Sequence, residues 1–278
     1  MLGVAAMARL FIFGLGYSAG YIAELARSRG WEVIGTGGEG GLSFDDEGTV
    51  RVALADAGHV MSSVPPGGEG LDPVLANYGS AIGGKWLGYL SSTGVYGDTG
   101  GAWVDESAPT GTGRRSARAD ADAAWMALGA RVLRLPGIYG PGRSPLDRVR
   151  EGRAHRIDQP GQVFSRIHVA DIASGAIAAF DAPPGAYNLA DDLPASQNAV
   201  IEEGCRLLGA ALPPVQSADQ AGLSPAARAF YSENRRVANG KAKRILGWAP
   251  RFPTYREGLR ALVGERSRPL SARDARAG

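Results

Sequence analysis

Arg9-Leu-Phe-Ile-Phe-Gly14-Leu-Gly16-Tyr-Ser-Ala19-Gly20 sets a short apolar run against a glycine turn and then a helix-like stretch, residues 18–28, which Gly30 closes. The turn fits the pattern G-x-G-x-x-A. In it Gly14 permits the tight turn, Gly16 lets the backbone approach a pyrophosphate, and the small Ala19 allows close helix–strand packing. Leu15, Tyr17 and Ser18 complete the segment that would meet the phosphates at the helix N-terminus. Glycine turns also follow strands for structural reasons alone, so the reading rests on the strand and helix that flank this one. It predicts a dinucleotide-binding half of a Rossmann-type fold.

Outward from this stretch, apolar runs at 31–35, 59–64, 85–91 and 131–135 alternate with helix-like segments at 71–78 and 116–128. That is the pattern of a parallel sheet covered by helices on both faces. The connection from 37 to 50 reads mostly as loop. Past residue 141 the alternation gives way to shorter pieces: a helix at 169–180, a returning strand at 186–189, an amphipathic helix at 196–208, a polar loop at 213–224 and closing segments at 239–246 and 259–263. The expected architecture is α/β. A Rossmann-type doubly wound parallel sheet takes residues 1–141 and about 167–190, a smaller mixed lobe takes about 142–166 and 191–266, and 267–278 form a frayed tail.

Composition agrees. The 278 residues, 44% hydrophobic and 21% charged, describe a globular chain with a substantial core, and 41 glycines imply many tight turns. Thirty basic against 28 acidic side chains, with no basic arm, argue against nucleic acid as the principal partner. No run reaches the ~18 apolar residues of a membrane span. The apolar start lacks a preceding basic region and is broken by Arg9, so it does not read as a signal peptide, and a cytoplasmic location is expected. The single Cys205 allows no internal disulfide and no cysteine-based metal site, and no metal is expected.

About 20 positions beyond the glycine turn, an acid would hold the adenosine ribose of NAD and an arginine would favour NADP. Here the second strand runs into Thr36 and glycines, and Glu39 is the first acid, so the choice between NAD and NADP stays open. Thr36 is an expected cofactor contact. Ser63-Val64-Pro65-Pro66, after the third apolar run, places Ser63 and Pro65 beside the same crevice, or forms only a rigid strand-ending turn.

Leu90-Ser91-Ser92-Thr93-Gly94-Val95-Tyr96-Gly97 is a strand that ends in hydroxyls. It resembles the S-S-x-x-V-Y-G element of the extended short-chain dehydrogenase/reductase superfamily, the NAD-dependent epimerase/dehydratases. Arg134-Leu-Pro-Gly-Ile-Tyr-Gly-Pro-Gly142 is similar to that family's R-x-x-x-x-Y-G-P element, Ile167-His-Val-Ala-Asp171 to its H-V-x-D element, and residues 239–248 to its closing N-x-K-x-x-x-x-L-G-W. With the glycine turn, the resemblance spans nearly the whole chain in the correct order. It implies NAD or NADP as cofactor and redox or isomerisation chemistry on a nucleotide-sugar or other small polar substrate. By the same resemblance Ser92 polarises the substrate oxygen, Ser91 and Pro136 border the cofactor, and Thr93 and Tyr139 face the substrate, while Arg143 and Arg166 read either as anion contacts for a phosphorylated substrate or nucleotide tail or as solvated surface arginines. A homodimer built on helices 116–128 and 146–150 is also implied, with Trp125 either an interface anchor or core.

The family's acid/base pair, a tyrosine and a lysine four residues later, is missing. Lys85, Lys241 and Lys243 are the only lysines among 30 basic residues, and none follows a tyrosine at that spacing. In the matching helix Arg114 stands for the tyrosine and Arg118 for the lysine. Arg118 can still hold a ribose hydroxyl, but an arginine at 114 cannot exchange a proton, because its pKa lies above about 12. The chain thus looks like an atypical branch, including a subgroup that begins F-G-L-G-Y and carries S-x-P-P and S-T-G-V-Y-G-D. Its chemistry would need displaced residues, with Tyr96, Tyr139 and His168 as candidates whose commoner work is packing and hydrogen bonding. Asp105-Glu106 resembles an acidic pair that orders a lid. The alternative is a non-catalytic dinucleotide-binding sensor or scaffold.

Overall fold

The computed structural model describes residues 8–38, 41–67, 71–112 and 116–266. Six strands, β1 (Arg9–Phe13), β2 (Glu32–Gly35), β3 (His59–Ser62), β4 (Trp86–Ser92), β5 (Arg131–Leu135) and β6 (Gly185–Asn188), pair in parallel in the order β6-β5-β4-β3-β1-β2. The chain leaves β1 for β2 on one side and returns to β3 on the other. That reversal opens a crevice at the carboxyl end of β1, where ligands bind in doubly wound sheets.

Parallel strands need crossovers, and helices supply them. Ala19, Ala23 and Ala26 of α1 (Tyr17–Ser28) share one core face with Ala173 and Ala176 of a later crossover helix, so small side chains bring the two helices close over the sheet. The opposite face is covered by α2 (Glu47–Ala55), α3 (Pro73–Tyr78) and α4 (Ser116–Ala127), which bury Val50, Leu54, Val74, Tyr78 and Trp125 against Phe11, Phe13, Val60 and Tyr89. Helix α2 corrects the expectation of a loop through residue 50. The Asp46 side chain accepts the Thr49 N–H at 3.2 Å and caps it, and Val50 and Leu54 give it an apolar side.

The rest of the chain carries α5 (Pro145–Arg150), α6 (Val169–Ala178), α7 (Gln197–Leu208), α8 (Pro225–Tyr231), α9 (Gly240–Ile245) and α10 (Tyr255–Arg266). The helix at 225–231 falls just beyond the stretch read as polar loop. Leu146 of α5, Val200 of α7 and Leu259 of α10 form a separate cluster around Tyr139, so α5 packs on α7 while α4 packs on the sheet. The two helices expected to share an interface therefore belong to different clusters. Trp125 is core: it is fully buried, stacks on Tyr89 at 5.4 Å and donates its indole N–H to Asp72 at 2.8 Å. Two-residue pairings of 103–104 with 236–237 and 156–157 with 215–216, together with 137–139 against 166–168, stitch the later segments to the earlier ones. Among the described residues no helix is long and apolar enough to cross a membrane. Arg114, Glu39 and the expected tail lie outside the described residues.

Candidate functional site

Gly14 sits at φ +80°, and a Cβ there would lie 3.0 Å from both Ser63 Oγ and Val64 Cγ2, so the turn after β1 demands glycine. Its neighbours hold it from two strands. Ser63 donates its hydroxyl to the Gly14 carbonyl, Thr36 Oγ1 accepts the Gly14 N–H at 3.1 Å, and the Thr36 carbonyl accepts the Leu15 N–H at 2.8 Å. Thr36 is 1% exposed, so it shapes the turn from beneath, while Pro65 stands exposed at the exit from β3.

These bonds leave α1 itself as the anion-facing part. Gly16 is its N-cap and offers no capping side chain, the first turn has no acid, and the N–H groups of Ser18 and Ala19 have no acceptor within the helix. A Cβ on Gly16 would meet nothing within 4 Å, so open space lies directly before the helix. The Arg143 guanidinium sits 4.6 Å from the Tyr17 ring centre, and Tyr17 donates its hydroxyl to the Pro141 carbonyl at 2.9 Å. Exposed dipoles, open space and a nearby cation fit a dinucleotide's phosphates.

At the end of β4, half-buried Ser92 accepts the Gly94 N–H at 3.1 Å, which caps the short turn that follows. Ser91 faces the other way. Its hydroxyl donates to Asp122 Oδ2 at 2.6 Å, in a buried network that the sequence reading missed. Arg134 grips Asp122 through two bonds, Nε at 3.0 Å and Nη2 at 2.7 Å, and donates Nη1 to the Tyr96 hydroxyl at 3.0 Å. Tyr96 in turn donates to Asn188 Oδ1 at 2.8 Å, and Glu106 accepts the Asn188 N–H at 2.7 Å. Ser91 and Tyr96 are thus occupied in tying β4, α4, β5 and β6 together. Burial pushes the Tyr96 hydroxyl up despite Arg134, away from the range useful to proton transfer at neutral pH.

Arg118 lies beside a tyrosine after all, but one supplied by β4. The Tyr89 hydroxyl is buried without a well-formed hydrogen bond, and desolvation outweighs Arg118 and pushes it up to about 12. A group so enclosed does not replace the missing acid/base.

A cavity of about 710 Å³ lies beyond the carboxyl end of β5, with Gly137, Tyr139, Arg143, Arg148, Arg166 and Phe230 in its wall. A smaller space of about 40 Å³, lined by Thr93 and Pro136, shares Gly137, Phe164, Ser165 and Phe230 with it. The structure therefore brings Thr93, Pro136, Tyr139, Arg143 and Arg166 around two adjoining spaces with shared walls, with Ser92 next to Thr93 in sequence and Arg143 reaching back to α1.

Tyr139 contributes its ring rather than its hydroxyl. Its Oη lies against α10, where a Cβ on Gly258 would come within 2.0 Å, and has no hydrogen-bond partner among the described residues; burial raises its pKa far above the ordinary value. Tyr139→Phe is expected to leave turnover unchanged and to hold or raise stability by up to about 1 kcal/mol, since an unsatisfied buried hydroxyl is removed. Thermal melts and initial rates check this; a tenfold loss of rate would restore a role in proton transfer. His168 caps α6 by accepting the Ala170 N–H at 3.2 Å through Nδ1, and burial followed by Arg251 pushes it down to about 4, so the imidazole is neutral.

No family model matches the chain. It is 41% identical to a conserved protein of unknown function from Silicibacter pomeroyi, covering 93% of this chain and 99% of that one with a TM-score of 0.83. A UDP-glucose 4-epimerase from Thermus thermophilus, solved with NAD, is 21% identical with a TM-score of 0.72 over 94% of this chain and 100% of that one. Over 144 residues, 48% of this chain, it is 31% identical to a Streptomyces 3-diazoavenalumate denitrifying reductase. The chain spans about half the length of that reductase, 46%. The resemblance drawn from the motifs is thus borne out in the fold.

Proposed function

The chain belongs to one family with the Silicibacter pomeroyi protein and has the fold of the extended short-chain dehydrogenase/reductases, and on that premise we propose that it binds NAD(P) and performs redox or isomerisation chemistry on a small substrate. The observation that supports this is an adjacency: Arg143 rests on Tyr17 in the first turn of α1 and also lines the large cavity, and the smaller space bordered by Thr93 and Pro136 shares four wall residues with that cavity.

The α1 N-terminus, from Gly14 to Ala19, with Ser63 and Pro65 beside it, would hold the phosphates and adenosine end, and Pro136 and Arg118 would border the nicotinamide ribose. When bound, NAD(P) supplies the hydride donor or acceptor. The end of β2 offers Thr36, whose hydroxyl is already engaged by Gly14, and no carboxylate among the described residues to repel a 2′-phosphate. Ser92 donates its hydroxyl to the substrate oxygen, while Thr93, Arg143 and Arg166 position the substrate. Tyr96 and Tyr139 serve as scaffold. The likeness to a reductase favours catalysis over the sensor reading.

Ser92→Ala is expected to lower turnover by about 10²–10³-fold, the usual cost of removing one hydrogen-bond donor from a reacting oxygen, with nucleotide affinity unchanged. Steady-state rates on a panel of carbonyl and carbinol substrates, paired with nucleotide titration, check it. Tight nucleotide binding without turnover on any substrate would favour the sensor.

A further inference from the structure

We infer that the cavity beside the proposed nucleotide site takes a small aryl or conjugated carboxylate, anchored by Arg166 from within and held flat by Phe164, Phe230 and Tyr231. The inference rests on the proposed function and names the substrate class of that site.

The charges around the cavity do not balance. Among its acids, Asp147 closes the capping box of α5 and pairs with Arg150 at 3.2 Å, and Glu151 pairs with Arg153. Among the described residues, three guanidinium groups on the same wall form no salt bridge: Arg143, which rests on Tyr17, Arg148, and Arg166. Arg166 is the telling one, because it is only 6% exposed. A buried cation without a counter-ion is costly, and an incoming anion removes that cost.

Its hydrogen bonds show what shape of anion fits. Nη1 donates to the Phe164 and Ala195 carbonyls, both at 2.8 Å, and Nη2 donates to Gln197 Oε1 at 3.1 Å. A guanidinium has five N–H donors. One on Nη2 and the one on Nε remain without an acceptor among the described residues, and such a pair matches the two oxygens of a carboxylate. Asp191 is the acid whose field Arg166 feels most, yet no bond or ion-pair contact among the described residues joins its carboxylate to the guanidinium, so the two free donors stay open.

The apolar part of the wall fits a flat body. Phe164 and Phe230 stack with ring centres 4.3 Å apart and 14° between planes, and Tyr231 meets Phe164 edge-on at 5.4 Å. Ile138, Ile201 and Leu223 complete the apolar side. A sugar ring, with hydroxyls on every side, finds few partners there, and a conjugated ring finds contact area and aromatic faces.

Calorimetric titration of the full chain, saturated with whichever nucleotide binds, compares cinnamate, benzoate, methyl cinnamate and UDP-glucose. At least one free acid is expected to bind, with the methyl ester weaker by about tenfold or more, the worth of a charge-assisted hydrogen bond. Arg166→Met is expected to weaken the acid by a similar factor without changing nucleotide affinity. Should that variant not fold, the acid–ester comparison in the unaltered chain decides. Equal binding of ester and acid, no acid binding at millimolar concentration, or tighter binding of UDP-glucose overturns the assignment. Nucleotide titration without acid is read separately: its failure alone sinks the proposed function, and failure of the acid alone sinks only this site.

Discussion

Asp122→Ala is expected to destabilise the protein by about 3–5 kcal/mol, the cost of removing one partner from a buried ion pair. Asp122 is 2% exposed and Arg134 5% exposed, so the guanidinium left behind has no water to turn to. The loss extends further. Ser91 forfeits its acceptor, and Arg134 keeps only the Tyr96 hydroxyl, whose other bond goes to Asn188. One carboxylate thus supports contacts from β4, α4, β5 and β6 at the carboxyl edge of the sheet. Arg134→Met combined with Asp122→Ala should cost less than Asp122→Ala alone, because no charge is then stranded. Denaturant unfolding of the two variants measures both. A cost below about 1 kcal/mol for Asp122→Ala would show that the network does not hold these elements together.

Gly16→Asp is expected to reduce nucleotide affinity by about 100-fold or more while leaving the fold intact or slightly more stable. The two effects have one origin. Gly16 is the N-cap of α1 at φ −82° and ψ −164°, a conformation any residue adopts, and a side chain there enters open space. Aspartate is among the best N-cap residues, so its carboxylate should accept the first-turn N–H groups and strengthen the helix by up to about 1 kcal/mol over glycine. Those N–H groups are the ones proposed to meet the phosphates. The carboxylate would occupy them and repel the incoming anion through a short distance of low dielectric. Calorimetry and a thermal melt on the same preparation check the pair of signs. Stability unchanged with affinity also unchanged would move the nucleotide elsewhere.

Much of this was legible in the residues because it depends on order and spacing. The strand-turn-helix at Arg9–Gly20, the alternation that follows and the motifs at Ser91–Gly97 and Arg134–Gly142 fix a parallel α/β sheet without any knowledge of contacts. Helix α2 was hidden because its signal is one capping aspartate and two apolar positions after a glycine-rich stretch. What spacing does not reveal is which polar groups meet across long separations. Ser91 and Tyr96 belong to a site motif by position, yet both hydroxyls are drawn into bonds with Asp122, Arg134 and Asn188, residues 31 to 92 positions away. Arg166 also read as a surface arginine; only its burial against the cavity distinguishes it. Tyr89 beside Arg118 is invisible in sequence for the same reason, since one comes from a strand and the other from a helix.

The central claim is that the bare N-terminus of α1 is a nucleotide site. Calorimetric titration of the unaltered chain with NAD+, NADH, NADP+ and NADPH tests it most directly. Saturable binding of one redox pair, with a stoichiometry of about one per chain, is the result expected of a single glycine-turn site. No heat of binding from any of the four at millimolar concentration, in a chain shown to be folded, would contradict it.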